Sequence, residues 1–311
     1  MSWNFGISTV YFVSRLLKEN KGWDDLRREL GSIGIKNLEL STEIPEEWLP
    51  EIKRSVACDE VKVLSLHNFC PKLKNIPKGK NSYNAYLLSS EDEEERSLSV
   101  EYTKKTIDLA SDLGAEVVVL HAGSVKTEPP GYESYKILLT YGAQSHIFQK
   151  YRENLVATRE KNKDKYRGII LKSLDEVVPY AEKKSVIIGL ETRFFPDEIP
   201  NFEEIGILLK NYNSKYFRYW HDFGHAEIMS KLGFAVSHKS YFESYSEYLK
   251  GYHIHDLKGY EDHFVPGSGE IDFSAICRKE EYLYIMEVHS KESIASLKRS
   301  IKFLNNFLTK S

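Results

Sequence analysis

The chain has 311 residues, 41% hydrophobic and 29% charged, an ordinary composition for a soluble globular fold and long enough to bury a sizeable core. Its 43 basic and 46 acidic side chains leave a net charge of −3, which excludes a global pull toward nucleic acid or an acidic membrane and leaves only a local groove to consider. Three scattered cysteines (Cys58, Cys70, Cys277) argue against a disulfide framework, and no apolar run approaches the ~18 residues of a membrane span.

Along the chain one unit recurs: a short β-branched or aliphatic run, a polar turn, then a helical pattern. Strands are expected at 4–10, 36–40, 61–66, 116–120, 186–190, 217–220, 251–254 and 282–286. The runs VVVL and VIIGL are almost wholly apolar, as strands of a parallel sheet covered on both faces must be. Helical spacing fills the gaps. Ile107, Leu109, Ala110 and Leu113 recur over 102–113 before Gly114, a helix-ending glycine, and 202–209 and 294–307 repeat the pattern. Eight such units predict an α/β fold, a closed (β/α)8 TIM barrel over 1–311 as one domain; no GxGxxG follows the first strand to favour an open doubly wound sheet. Two insertions, about 72–98 with the acidic run EDEEER and 125–171 with the basic stretch KYRENLVATREKNKDKYR, follow strands three and four, on the face where barrels keep their active sites. Their charges suit solvated helix faces, or a lid or polyanion contact.

The strand ends carry the chemistry. Strand three ends at His67, strand four at His121, strand five at Glu191, and strand six at His221, Asp222 and His225. Strand seven gives His253, His255 and Asp256, followed by Glu261, Asp262 and His263, and strand eight gives Glu287 and His289. In a barrel these ends converge on one mouth, where crowded carboxylates repel one another and resist ionising. A divalent cation removes that cost, and imidazole with carboxylate suits Zn, Mn, Fe or Co. Asp222 points inward with His225 behind it on the first helical turn, as a ligand and its support. His253 and His255 share strand parity; His253 is favoured as the ligand, with His255 nearer substrate. Strand alternation turns His221 away from the mouth, and the same argument sets His289 aside. His146 and His238 fall in expected loops or helices and carry no signal. PGSGEIDF, at 266–273, is a tight turn feeding a helix: either a phosphate-binding turn or a plain one capped by Asp272.

The ordered series LHNF, VVLHAGS, GLETR, WHDFGHAE, HIHD, EDHFVPGSGEIDF and MEVH, spread over essentially the whole chain, resembles the xylose isomerase-like barrel superfamily, in particular its sugar phosphate isomerase/epimerase branch. The set is specific for the superfamily and not for the reaction. Resemblance to the epimerase branch implies one ion held by Glu191, Asp222, a strand-seven histidine and Glu287. Glu191 and Glu287 would then exchange a carbon-bound proton through a metal-stabilised enediolate of a small sugar or sugar phosphate. His67, His121, His225, His255 and His263 become substrate-facing: His225 or His255 orients hydroxyls, and His263 or the PGSG turn reaches a phosphate. Phe194 and Phe195 close over the sugar. Endonuclease IV belongs to the same superfamily, and its three-zinc pattern implies a different layout. His67, His121 and Glu191 would hold one ion; Glu191, Asp222, His253 and Glu287 a second; His225, His263 and Glu261, where that family carries Asp, a third. Its substrate would be abasic DNA. The expected cofactor is therefore a divalent ion, Zn or Mn, in one to three copies. The expected partner is a small molecule, with no membrane, nucleic acid only under the endonuclease reading, and a homodimer as many such barrels form. The N-terminus lacks a basic region leading into a long apolar stretch, so a cytoplasmic protein is expected.

Overall fold

The aliphatic runs form eight parallel strands: β1 (Asn4–Ser8), β2 (Asn37–Leu40), β3 (Lys62–His67), β4 (Val117–Leu120), β5 (Ile187–Glu191), β6 (Phe217–Asp222), β7 (Leu249–Ile254) and β8 (Leu283–Met286). In the computed structural model, which describes residues 4–289 and 291–309, they pair in the order β1-β8-β7-β6-β5-β4-β3-β2 and close into a barrel. Every one of the eight expected strands is present, and helices surround the sheet.

Strand alternation sorts the barrel into two apolar layers. Leu64, Val117, Val119, Trp220, Leu283 and Ile285 pack inside it, while a much larger set, including Val118, Leu190 and Tyr252, fills the space between sheet and helices. Trp220 fills so much of the interior that a Cβ on Gly251 of the neighbouring strand would lie 2.4 Å from its ring, so glycine is required there. Continuing the inward parity by one step above this plug gives His121, Glu191, Asp222, His253 and Glu287. Polar side chains therefore cap the plug at the C-terminal end of the barrel.

The two insertions are less separate than the charge runs suggest. The acidic run opens the helix Glu93–Leu113: Asp92 caps it by accepting from the N–H groups of Glu94 (2.8 Å) and Glu95 (3.2 Å), and acidic residues fill the first turn. The second insertion has no end at 171. Its basic stretch is the first half of a 38-residue helix, His146–Lys183, whose second half buries Leu174, Val177, Val178 and Ala181 against the barrel. The shorter helix Glu133–Tyr141 precedes it. Two small ribbons decorate the C-terminal face, one pairing Gly123–Ser124 with Glu198–Ile199 and one pairing Asp256–Lys258 with Glu261–Phe264. Among the described residues no helix is long and apolar enough to cross a membrane.

Candidate metal centre

Glu191, at the last position of β5, is fully buried and is the hub of the mouth. Its Oε1 lies 2.6 Å from His253 Nδ1, and its Oε2 lies 2.6 Å from an Arg193 nitrogen and 2.7 Å from His121 Nε2. His67 Nε2 is 3.8 Å from the same Oε2. The His253 ring bridges two layers. Beyond its contact with Glu191, Nδ1 lies 3.1 Å from Glu287 Oε2 and 3.6 Å from Asp222 Oδ2, while Nε2 faces Glu39 Oε2 at 3.0 Å.

Asp222 ends β6 and caps the following helix by accepting from the His225 N–H (2.7 Å). His255 Nε2 sits 3.0 and 3.2 Å from its two oxygens, and His255 Nδ1 accepts the main-chain N–H of His263 (3.0 Å). The proton of neutral His255 is therefore on Nε2, donated to Asp222. Both nitrogens of His255 are engaged, whereas His253 aims Nδ1 at three carboxylates. Gly224 makes this possible, because a Cβ there would meet the His255 ring at 2.0 Å.

Ligand-type atoms within 4.8 Å of one another form three groups: Glu191, Asp222, His253 and Glu287; His67, His121 and Glu191; His225, His255 and His263. Burial alone would raise the pKa of Glu191, but the imidazoles of His121 and His253 outweigh it and hold the carboxyl well below its ordinary value. Asp222 is likewise held down against its burial by His225 and His255. Burial, reinforced by Arg193, pushes His121 well below the usual imidazole value, so it is neutral. Its Nε2 lies beside the Glu191 carboxylate. Neutral imidazole beside clustered ionised carboxylates in a dry site is a donor set that fits a divalent cation.

Residues 28–306 match the family model of the xylose isomerase-like TIM barrel. The chain belongs to that family. Among curated proteins, this xylose isomerase-like barrel is 26% identical over 185 residues to the uncharacterized protein y4fM of Sinorhizobium fredii (strain NBRC 101917 / NGR234), a stretch of 59% of this chain and 49% of that protein. The chain thus spans about half the length of the curated relative it matches. Among solved structures it is similar to a D-tagatose 3-epimerase-like protein (TM-score 0.66, 19% identity, 98% of this chain and 97% of that one). It is also similar to the 3-keto-D-glucoside 4-epimerase YcjR from E. coli (TM-score 0.67, 14% identity, 98% and 100%). A third is the IOLI protein, solved with a bound zinc atom (TM-score 0.61, 15% identity, 98% and 97%). At these identities the likeness is one of fold.

The xylose isomerase-like mouth opens into a cavity of about 350 Å³ lined by His67, His121, Glu191, His225, His263 and Glu287, and also by Phe194 and Phe195. Two expectations are corrected there, and of the two readings of the PGSG turn the plain one, capped by Asp272, fits. Glu261 is exposed and paired with Lys291 (2.6 Å), turned away from the histidines; Asp262 lines the cavity instead, with its Oδ2 3.0 Å from His263 Nδ1. His289 is not set aside: although the strand ends before it, it lines the cavity with its ring stacked on His263 at 4.0 Å, on the side that Ile285 and Glu287 also face. The PGSG turn holds no phosphate site, because its amides already serve a buried carboxylate. Asp256 accepts from Gly267 (3.0 Å), Gly269 (2.8 Å) and Ile271 (3.0 Å). His221 does point away from the mouth, bonded to Tyr219 Oη (2.6 Å) and to His238 Nδ1 (3.0 Å), which gives His238 a structural part.

Several cavity residues were not singled out from the sequence. Arg193 is buried and ties Glu191 to Glu198 (2.6 and 2.8 Å). Asn81 and Tyr83 come from the first insertion, the Tyr83 ring meeting His121 edge-on at 5.8 Å. Glu39 had one available signal, a carboxylate in the apolar run Leu38–Glu39–Leu40.

Proposed function

We propose that the chain is a metal-dependent isomerase or epimerase of a small, unphosphorylated sugar, with Glu191, Asp222, His253 and Glu287 holding the ion. The observation that carries this reading is the convergence of those four side chains from four successive strands, two of them glutamates. A bound divalent cation would supply the positive charge that polarises a sugar carbonyl and acidifies the adjacent C–H. Glu287 sits on the cavity wall and removes that proton; Glu191, also lining the cavity, returns one to the enediolate. His225 and His263 face the same space and orient the hydroxyls. Phe194 and Phe195 form an apolar wall that keeps water from the carbanion-like centre.

Charge supports a neutral substrate. The carboxylates of Glu43, Glu191, Glu198, Asp262 and Glu287 line the cavity, and Arg193, the one guanidinium there among the described residues, is already paired with two of them. The amides of the PGSG turn are occupied by Asp256, and the cationic His263, whose pKa Asp262 raises to about 9 against its burial, is paired with that carboxylate (3.0 Å), so among the described residues no free positive group offers itself to a phosphate. The fold-level likeness to sugar epimerases agrees with this choice.

The test is to incubate zinc- or manganese-loaded protein with free ketoses and aldoses in deuterated water and follow label into the sugar by NMR. Label should enter a free sugar, Glu287→Gln should lower the rate at least ~10³-fold with the fold intact, and the phosphate of that sugar should be a poor substrate. Full activity in Glu287→Gln sinks the two-carboxylate mechanism.

One observation favours a second reading, a metal-dependent phosphodiesterase acting on abasic DNA: the three adjacent ligand groups. Three tightly bound zinc ions by elemental analysis, with nicking of abasic duplex, would select it. One exchangeable ion would select the isomerase.

A further inference from the structure

Glu39 stands at the middle of the barrel mouth's floor, on β2, with no solvent exposure. It belongs to none of the three ligand groups. Two groups meet its Oε2: the Ser65 hydroxyl, which donates at 2.9 Å, and His253 Nε2 at 3.0 Å; its other oxygen has no partner. A carboxylate accepts and does not donate, so the atom between Oε2 and the imidazole is a proton carried on Nε2. His253 Nδ1 also lies 2.6 Å from Glu191 Oε1, so with no ion present the ring carries a proton on each nitrogen; a cation on Nδ1 displaces that proton and leaves the one on Nε2. Nδ1 is directed at Glu191 Oε1 (2.6 Å), Glu287 Oε2 (3.1 Å) and Asp222 Oδ2 (3.6 Å). Between Nδ1 and these three carboxylates there must sit either a proton or a cation.

The competing arrangement puts the proton on Nδ1, donated to Glu191, and it needs no metal. Three carboxylates on that side favour it, and only Glu39 pulls the other way. We infer that Glu39 is a positioning residue that holds His253 in its Nε2–H tautomer, so that Nδ1 is the atom offered to a divalent cation between Glu191, Asp222 and Glu287. The neighbouring imidazole shows the logic in reverse. His255 is fixed by a main-chain N–H on Nδ1 and presents Nε2–H to Asp222, so it supports a ligand. Two histidines two residues apart are thus set in different roles by what touches their far nitrogens.

The inference rests on the metal part of the proposed function and not on the sugar. Its test uses the full chain and zinc alone. Zinc affinity is measured by competition with a chromophoric chelator for the wild type, Glu39→Gln and Ser65→Ala, beside thermal unfolding of each metal-free protein. Glu39→Gln keeps the shape but supplies a weaker, uncharged acceptor, so zinc affinity should fall roughly 10–100-fold, with Ser65→Ala falling several-fold in the same direction. A purely structural role would move the metal-free unfolding midpoint and leave the affinity of the folded protein alone. The spectroscopic arm needs no substitution at Glu39. In zinc-loaded wild type, ¹⁵N imidazole NMR should show His253, assigned by loss of its signals in His253→Gln, with a protonated Nε2 and a metal-bound Nδ1. A metal-bound Nε2, or zinc affinity within 3-fold of wild type in Glu39→Gln, overturns the inference even if that variant alone misfolds and only the NMR arm can be read. Wild type that binds no zinc overturns both the inference and the metal part of the proposed function. Wild type that binds zinc as described and labels no sugar overturns only the sugar.

Discussion

Asp197 illustrates how a single buried carboxyl sets a pH dependence. It accepts the N–H of Gly131 (3.0 Å), and its pKa is pushed up from 3.8 to about 6, first by burial and then by neighbouring Glu198. The folded state therefore holds the proton more tightly than the unfolded chain does. The neutral carboxyl contributes fully below about pH 4, and that contribution is lost as pH rises through about 6. Asp197→Asn keeps an acceptor oxygen and removes the ionisation, so it should stabilise the protein above pH 6 by about 1–3 kcal/mol and do nothing below pH 4. Denaturant unfolding at pH 4.0 and 7.5 would measure this, and an equal effect at both pH values would refute it. Gly224 offers a second residue-scale prediction. A methyl there would displace the His255 ring, and with it the donor that fixes Asp222. Gly224→Ala should weaken zinc binding about 10-fold or more while leaving far-UV circular dichroism unchanged. At this scale the sequence was most legible where a polar residue ended an apolar strand, as with Glu191 and Asp222. It was least legible where the chain had left the strand. His289 was set aside because the strand ends before it, although it keeps the inward parity of Ile285 and Glu287, and Glu261 was misplaced because a motif was carried over position by position. Arg193 and Asn81 sit on loops that no periodicity describes.

Elements were legible in proportion to their regularity. All eight strands declared themselves by apolar runs buried on two faces, and Gly114 marked a helix end by its left-handed conformation (φ 67°). The helix starts were hidden under charge. EDEEER reads as a solvated helix face, but its charges do not show where the helix begins until Asp92 and Glu95 are recognised as an N-cap and its first turn. Likewise, the helix His146–Lys183 passes straight through Gly168, which has open space around it, so nothing forces a break there. The second half of this long helix is fastened by its apolar face, and the first half carries a buried ion pair. Arg159 donates to both oxygens of Glu204 (3.1 and 2.8 Å) and to the Glu198 carbonyl (3.0 Å), while Glu204 also caps its own helix through Asn201 N–H (2.9 Å). Arg159→Met would leave a buried carboxylate without its cation and should cost about 3–5 kcal/mol. The double variant Arg159→Met/Glu204→Gln keeps the cap and should recover much of that loss, because removing both charges is far cheaper than stranding one. Urea unfolding of both variants checks the pair. A single variant within ~1 kcal/mol of wild type would show that the fastening lies elsewhere.

Viewed whole, the barrel is ordered by one rule, an apolar plug inside and ionisable groups stacked on its C-terminal end, and the rule has a consequence for stability. Glu191, Asp222, His253 and Glu287 arrive on β5, β6, β7 and from just beyond β8, so an ion among them would tie half of the barrel's staves together. Any ligand that binds only the folded chain stabilises it by mass action, by about 2.7 kcal/mol at a hundred times its dissociation constant. For a chain of this length that corresponds to a rise in Tm of about 4 °C. The carboxylates make the effect larger than the ion's own contacts, because without the cation their mutual repulsion opposes closure of the mouth. Zinc should accordingly raise Tm by several degrees in calorimetry and excess chelator should reverse it. Glu287→Gln, with one ligand oxygen replaced by an amide, should show a smaller rise at the same zinc concentration. If chelation and zinc both leave Tm where it was, the four side chains are held by imidazole protons and hydrogen bonds alone, and the mouth of this barrel is not a metal centre.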